Sequence, residues 1–351
     1  EVSEEAIMVV GRRKLTNVLP DLEPLLSDES QGIRAVTAAA ILHLGNGPAK
    51  RAESILNEML NSDDELAQAT ALNRLVHNDS ILPQEKLIYF LKNEGDLISN
   101  VALTIAEKRN EPELVPAIIS NLDIPKTSLQ ARLTLNKFSD DLVMEEFQRL
   151  LASPDLTRKL RLGIIRTLRE YPNDQTVDML LGLLDREDQD VYNEVVDSLL
   201  AVARAHLISE DKKDEIGKEI QVMARKVYAL NETIKLIPDD DNKFLMHDHL
   251  NNEIQNTLPT LLKLGVLDVP DTPIETYIHT VKSGDPAKLP FLLEFFENIF
   301  SLEEREIINP LIESISLVER SEVGHRKFRD LPHNLDSELT ESVYSPNKWE
   351  S

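Results

Sequence analysis

The sequence contains no cysteine, which excludes disulfides, thiolate metal sites and cysteine nucleophiles. Aromatic residues make up 5% of the chain and glycines number 11, few for a fold of strands and tight turns. No run of 18 apolar residues occurs, so no segment reads as a membrane span. Basic charge is also short: 38 Lys and Arg stand against 62 Asp and Glu, a net charge of −24. Such a surface repels a phosphate backbone, and nucleic acid is not an expected partner. The opening Glu1-Val2-Ser3-Glu4-Glu5 is acidic where a signal peptide would be basic. Starting without Met and stopping at Trp349-Glu350-Ser351, the chain reads as a piece of a longer polypeptide.

What is abundant suits helices. Hydrophobic residues reach 41%, and they recur at helical intervals. Val18, Leu19, Leu22, Leu25 and Leu26 predict one helix; Ile33, Val36, Ala40, Ile41 and Leu44 predict a second that stops at Gly45 and Gly47-Pro48. The pairing then repeats. The first apolar residue of each second helix falls at Ile33, Leu66, Ile98, Leu129, Leu160 and Val191, in steps of 33, 32, 31, 31 and 31. A polar break precedes each, such as Ser27-Asp28-Glu29-Ser30, Ser62-Asp63-Asp64 and Arg186-Glu187-Asp188. Asp or Ser there is placed to cap the incoming helix. Small residues, among them Ala38, Ala39, Ala40, Ala69 and Ala71, let neighbouring hairpins approach closely. A hairpin this short buries its apolar faces only by stacking on others.

This pattern resembles HEAT repeats over roughly residues 5–206. The helix, the Asp-containing turn and a second helix opening on an apolar–Arg pair, Ile33-Arg34 and Leu160-Arg161, carry the likeness; Leu66-Ala67, Ile98-Ser99 and Leu129-Gln130 depart from the pair. The resemblance implies an all-α fold, a right-handed α-solenoid of HEAT-like helical hairpins. After about residue 207 the period lengthens. A long helix is predicted over about 213–236 and a second after Pro238-Asp239-Asp240-Asp241, with Pro259 inside it. Shorter helices are expected at about 272–283, 286–300 and 303–318. The expected organisation is therefore six hairpins over 1–206, a long helix pair with further hairpins on the same solenoid over 207–320, and a polar, loosely ordered tail over 321–351.

The second half is similar to something narrower. Val281-Lys282-Ser283-Gly284-Asp285-Pro286, then Leu292-Leu293-Glu294-Phe295-Phe296-Glu297-Asn298-Ile299-Phe300, then Ile308-Asn309-Pro310-Leu311-Ile312-Glu313 resemble the HEAT-repeat region of bacterial membrane proteins with an ATP/ADP-carrier-like, nucleotide-transporter-like part. The likeness covers roughly 210–315. It implies a cytoplasmic module at the inner face of a membrane, near lipid by proximity only, whose protein partner is a membrane-embedded domain of the same polypeptide.

The chemistry-bearing residues do not assemble a reaction centre by spacing. His249 and Glu253 share a helix face at i, i+4, but His247 does not, so His247-Asp248-His249 supplies half a metal site at most. Asp239-Asp240-Asp241 lacks the glycine and distal Glu of a calcium loop. There is no Gly-x-Ser-x-Gly elbow, phosphate loop or dinucleotide fingerprint. No cofactor or metal is expected. Arg158, Lys159, Arg161, Arg166 and Arg169 lie within 12 residues of one predicted helix, and Arg158 and Arg169 fall about 20° apart on its wheel. Leu160, Ile164, Leu168 and Tyr171 take the other side. This basic face is either paired to acids of adjacent repeats or turned to an acidic partner or lipid headgroups. The run Phe291, Phe295, Phe296 and Phe300 reads as core, any exposed member marking a docking point. Two functional classes follow: a non-enzymatic protein-interaction scaffold, or a helical-repeat enzyme of the DNA-base glycosylase or tetrapyrrole lyase kind. A cleft holding a displaced carboxylate would favour the enzyme, and a broad open groove the scaffold.

Overall fold

A computed structural model describes residues 4–45, 47–76, 80–92, 95–184, 188–237, 243–285 and 287–332. Among these residues every regular element is a helix and none is a strand, as the shortage of aromatics and glycine implies. Backbone contacts divide the chain into two units, 1–164 and 165–351. The division falls inside a helix, whereas the change in sequence period falls near 207.

The first unit holds α1 (Glu4–Arg12), α2 (Leu19–Leu22), α3 (Gln31–Leu44), α4 (Ala49–Leu60), α5 (Glu65–Leu75), α6 (Gln84–Leu91), α7 (Asp96–Arg109), α8 (Val115–Ile119), α9 (Ser128–Leu135), α10 (Asp140–Leu151) and most of α11 (Arg158–Leu168). The helix expected over 18–26 is broken. Tight 3-10 turns at Thr16–Val18 and Glu23–Ser27 flank a four-residue α2, because Pro20 and Pro24 offer no N–H to a continuous ladder. At α3 and α5 the punctuation acts as read, whereas Gly95 and Thr127 precede α7 and α9 without a side-chain cap. Ser30 accepts from the Ile33 N–H at 3.4 Å, and Asp64 from that of Leu66 at 3.0 Å. Gly45 closes α3 at φ 69°, left-handed backbone that glycine adopts at no cost.

Consecutive hairpins are tied through their second helices: α3 packs on α5, α5 on α7 and α7 on α9. Alanine makes that approach possible. Ala35, Ala38, Ala71, Ala102, Ala106 and Ala131, all on second helices, are fully buried. The first helices contact likewise, α6 with α8 and α8 with α10. Buried Asn121 ties two of them, its Nδ2 donating to the Leu91 carbonyl at 2.7 Å and the Ala117 carbonyl at 3.0 Å. At α11 the fit is tightest: a Cβ on Gly163 would lie 2.7 Å from the Leu122 carbonyl oxygen.

The second unit continues from α11 through α12 (Asp174–Leu181), α13 (Gln189–Ala203), α14 (Glu210–Leu236), α15 (Lys243–Gly265), α16 (Ile274–Ser283), α17 (Leu289–Ile299), α18 (Leu302–Ile312) and α19 (Leu317–Lys327). Its spine is α14, 27 residues and therefore about 40 Å long, with α12, α15, α18 and α19 against it. Pro259 lies within α15 without ending it. One expectation fails here. The single helix predicted over 303–318 is two, α18 and α19, and the stretch from Ser321 to Lys327 is helix rather than loose tail. Ser316 and Glu319 form a reciprocal capping box that starts α19. Gly324 lets its backbone close on the Tyr228 ring, and Arg225 pairs with Asp330 at 2.7 Å. The part of the expected tail from 333 to 351, and Asp239-Asp240-Asp241, lie outside the described residues.

Candidate interaction surface

The basic cluster sits on α11 and the residues just after it. Ile164 and Leu168 are fully buried and Tyr171 nearly so, so the apolar side of the predicted wheel is the packed side. The five cations then separate into two groups. Arg166 directs Nε and Nη2 to Oε2 of Glu194 at 2.8 and 2.7 Å. Arg169 reaches the other carboxylate oxygen of Glu194 and donates to the Ser198 hydroxyl at 2.9 Å. The Ser198 hydroxyl donates in turn to the Glu194 carbonyl at 2.8 Å. One half-buried carboxylate on α13 thus holds two guanidinium groups, which leaves them little charge to offer a partner. Arg158 and Lys159 lie in the first turn of α11 and are exposed, with Arg161 half-buried beside them.

Glu194 was not singled out from sequence, though a signal existed. A repeat step of about 31 residues sets 194–198 on α13 beside 163–167 on α11, so an acid there faces the basic helix.

The remaining candidates take part in ion pairs and packing. Glu253 turns to Lys226 at 4.0 Å rather than to a histidine, and no group of three His, Asp or Glu side chains gathers at a metal-binding distance among the described residues. Phe296 and Phe300 are buried and stack at 4.8 Å, and Phe295 meets Tyr277 at 4.4 Å. Phe291 is 73% exposed. Lys263 bridges Asp197 and Glu275, each at 2.8 Å. Burial alone would lower its ammonium group, but those two carboxylates reverse the shift and raise it.

One polar cluster was missed entirely, where α19 lies on α14. Glu232 is buried, with Lys235 at 3.0 Å, His325 at 3.5 Å and the Ser321 hydroxyl on its second oxygen. Burial pushes this carboxyl up, but Ser321, Lys235 and His325 outweigh it and hold it below its ordinary value. A serine, a histidine and an acid meet here, yet the hydroxyl donates directly to the carboxylate and accepts from Lys235 at 2.8 Å. Its proton is therefore held by Glu232 and its lone pair by Lys235, which ties the serine into the contact between α14 and α19. Arg320 completes the clamp on the carbonyls of Pro310 and Glu313, at 3.0 and 3.2 Å. Nearby, burial pushes the Tyr228 phenol well up, and it donates to the Ile307 carbonyl at 2.9 Å.

Two concavities lie in the first unit. A cavity of about 140 Å³ is lined by Met8, Gly11, Val36, His43 and Arg74; an open groove of about 490 Å³ runs past Arg34, Arg51, Ile55, Glu58 and Asp64. Glu232 lines neither. No family model matches the chain, and no curated protein matches it. Among the described residues no helix is long and apolar enough to cross a membrane.

Proposed function

We propose that this chain is a non-enzymatic protein-interaction scaffold, a right-handed α-solenoid of HEAT-like hairpins. In the longer polypeptide it would lie at the cytoplasmic face of a membrane beside a nucleotide-transporter-like domain. The observation that carries the reading is the side-by-side row of second helices. They start at Gln31, Glu65, Asp96, Ser128 and Arg158, in steps of 34, 31, 32 and 30, and α3 through α9 touch in sequence along an alanine-rich seam. Such a row offers a long, repeating surface with no fixed chemistry of its own. The first turn of α11 supports a partner role. Lys159, exposed in that turn, opposes the helix dipole, an arrangement local stability disfavours.

The test is capture by the full chain, from separated membrane and cytosol fractions of the source cells, against the variant Arg158→Glu/Lys159→Glu. A protein held at constant stoichiometry by the wild type and lost by the variant is the expected result. Equal capture by both would remove these two residues from the surface. Turnover of a small molecule would sink the scaffold reading itself.

A further inference from the structure

Three helices build the smaller cavity of the first unit. Both α1 and α5 pack on α3, and Glu4 of α1 reaches Arg74 of α5 across it. A Cβ on Gly32 would meet the Glu4 carboxylate, and one on Gly11 would lie 2.8 Å from the Ala40 Cα, so α1 runs beside α3 in the same direction. Val36, Ala39, Ala40 and His43 recur on α3 at i, i+3, i+4 and i+7, a single stripe, and form the floor; Met8 and Val76 close the sides. Glycine and alanine at this contact leave a space of about 140 Å³. An apolar cavity of about 150 Å³ accommodates benzene, so this one has room for a body of about six carbons.

The polar part of the lining is rich in donors. Arg12, His43, Asn73 and Arg74 supply it, and among the described residues no Asp or Glu lines the space. Arg74 gives Nη2 to Glu4, but its Nε is buried and meets no acceptor. A buried donor left unpaired is costly. A guanidinium group only donates, so whatever satisfies it must accept. His43 holds its Nδ1 proton on the Ala39 carbonyl at 3.2 Å, and Arg12 is exposed at the rim. These three basic side chains stand in the last turns of α1, α3 and α5, where cations ordinarily balance free helix-end carbonyls. Here those carbonyls already have partners. Val9, Val10 and Gly11 accept from the backbone N–H groups of Arg13, Leu15 and Lys14, and Ile41 and Leu42 from that of Gly45. Val76 accepts from the Lys108 ammonium group at 2.9 Å. Of the acids on these helices, Glu4 is held by Arg74, while Glu5 and Glu65 stand in first turns and do not line the space. A carboxylate, which accepts without donating and carries negative charge, fits this donor set.

We infer that the cavity between α1, α3 and α5 binds a small monocarboxylate, its apolar body over Val36, Ala39 and Ala40 and its carboxylate toward Arg74 and Arg12. This small-molecule site goes beyond the scaffold reading and stands or falls without it. Met8 lines the cavity and is one of six methionines, so its methyl group serves as a local probe. The full chain, labelled with ¹³C at the methionine methyls and assigned with Met8→Leu, is titrated with hexanoate, benzoate, hexanamide and inorganic phosphate. Both acids should move the Met8 resonance saturably and leave the other five in place, with hexanamide and phosphate each at least tenfold weaker than hexanoate. Arg74→Lys keeps a cation beside Glu4 but removes the Nε donor, and should weaken hexanoate at least tenfold. Arg12→Gln, at an exposed residue, should weaken it at least threefold with circular dichroism unchanged, and carries the test if Arg74→Lys does not fold. A Met8 resonance that neither acid moves overturns the site. Equal binding of hexanamide, or of phosphate, overturns the assigned ligand class, and binding indifferent to the arginine substitutions overturns the donor assignment. Acetyl-dileucine bound at least tenfold more tightly than hexanoate would assign the cavity to the chain terminus of a partner and overturn the small-molecule reading.

Discussion

Two helix-interior glycines give opposite expectations for the same substitution. Alanine is favoured over glycine inside a helix by about 1 kcal/mol, largely through the entropy of the unfolded chain. At Gly217, in α14, an added Cβ meets nothing within 4 Å, so Gly217→Ala should stabilise by about 0.5–1 kcal/mol. At Gly163, in α11, it would lie 2.7 Å from the carbonyl oxygen and 2.9 Å from the carbonyl carbon of Leu122. Both are backbone atoms, which cannot swing away as a side-chain tip can. Overpacking costs about 1–3 kcal/mol and here outweighs the helical gain, leaving Gly163→Ala destabilised by about 1–2 kcal/mol. The two variants should therefore stand about 2 kcal/mol apart in urea unfolding followed at 222 nm. Hydrogen exchange places the damage: Gly163→Ala should speed exchange in α11 and in the 120–124 turn, and Gly217→Ala in neither. A Gly163→Ala protein as stable as the wild type would refute the close approach of α11 to that turn.

The α19 clamp predicts a pH dependence. Glu232 is held below its ordinary 4.5, so its contribution is complete above that pH and is lost as pH falls through the lower folded value. The gap in urea midpoint between the wild type and Glu232→Gln should be widest near neutrality and close below about pH 4.5; a gap constant with pH would remove the carboxylate from the clamp. Ser316→Ala opens the capping box of α19 and should cost about 1 kcal/mol, seen as faster exchange over 317–327 with α14 unchanged. Phe296→Ala, at a fully buried ring, should cost about 3–5 kcal/mol, while Phe291→Ala, 73% exposed, should cost less than about 0.5 kcal/mol. Similar losses in thermal melts of the two would contradict the packing of α17.

The helical class and most helix starts were legible because both depend on local chemistry. Ser30, Asp64 and Asp188 cap the helices that follow them, and a short polar side chain before an apolar run is visible in sequence. The broken 18–26 segment was legible too, in Pro20 and Pro24, had they been weighed against the leucine spacing. The stretch from Ser321 was misread for a different reason. α19 is mostly polar, and its hold on α14 comes from pairs such as Ser321–Glu232 and Arg320–Asn231, 89 residues apart in each case. Composition cannot report such pairs. Ser301-x-x-Glu304 and Ser316-x-x-Glu319 could have, since that spacing marks a helix start whatever follows it.

The same limit explains the interaction surface. A helical wheel ranks residues by angle and says nothing about what the next helix brings to meet them. Arg158 and Arg169 share an angle, yet the wheel does not foresee that α13 brings Glu194 to Arg169. The leucines show the converse. Leu66 and Leu129 mark the repeat alongside Ile98 and Val191 as first apolar residues of their helices, and the interval alone does not say which way each faces. Ile98 and Val191 are buried, at 0% and 1% exposure, whereas Leu66 and Leu129 face out at 65% and 60%. An interval changes by only one when the marker slips by one residue, but the face rotates by about 100°. The repeat could therefore be found with its inward and outward positions mixed. In α7 the outward residue is Leu97, 61% exposed, one before the buried Ile98.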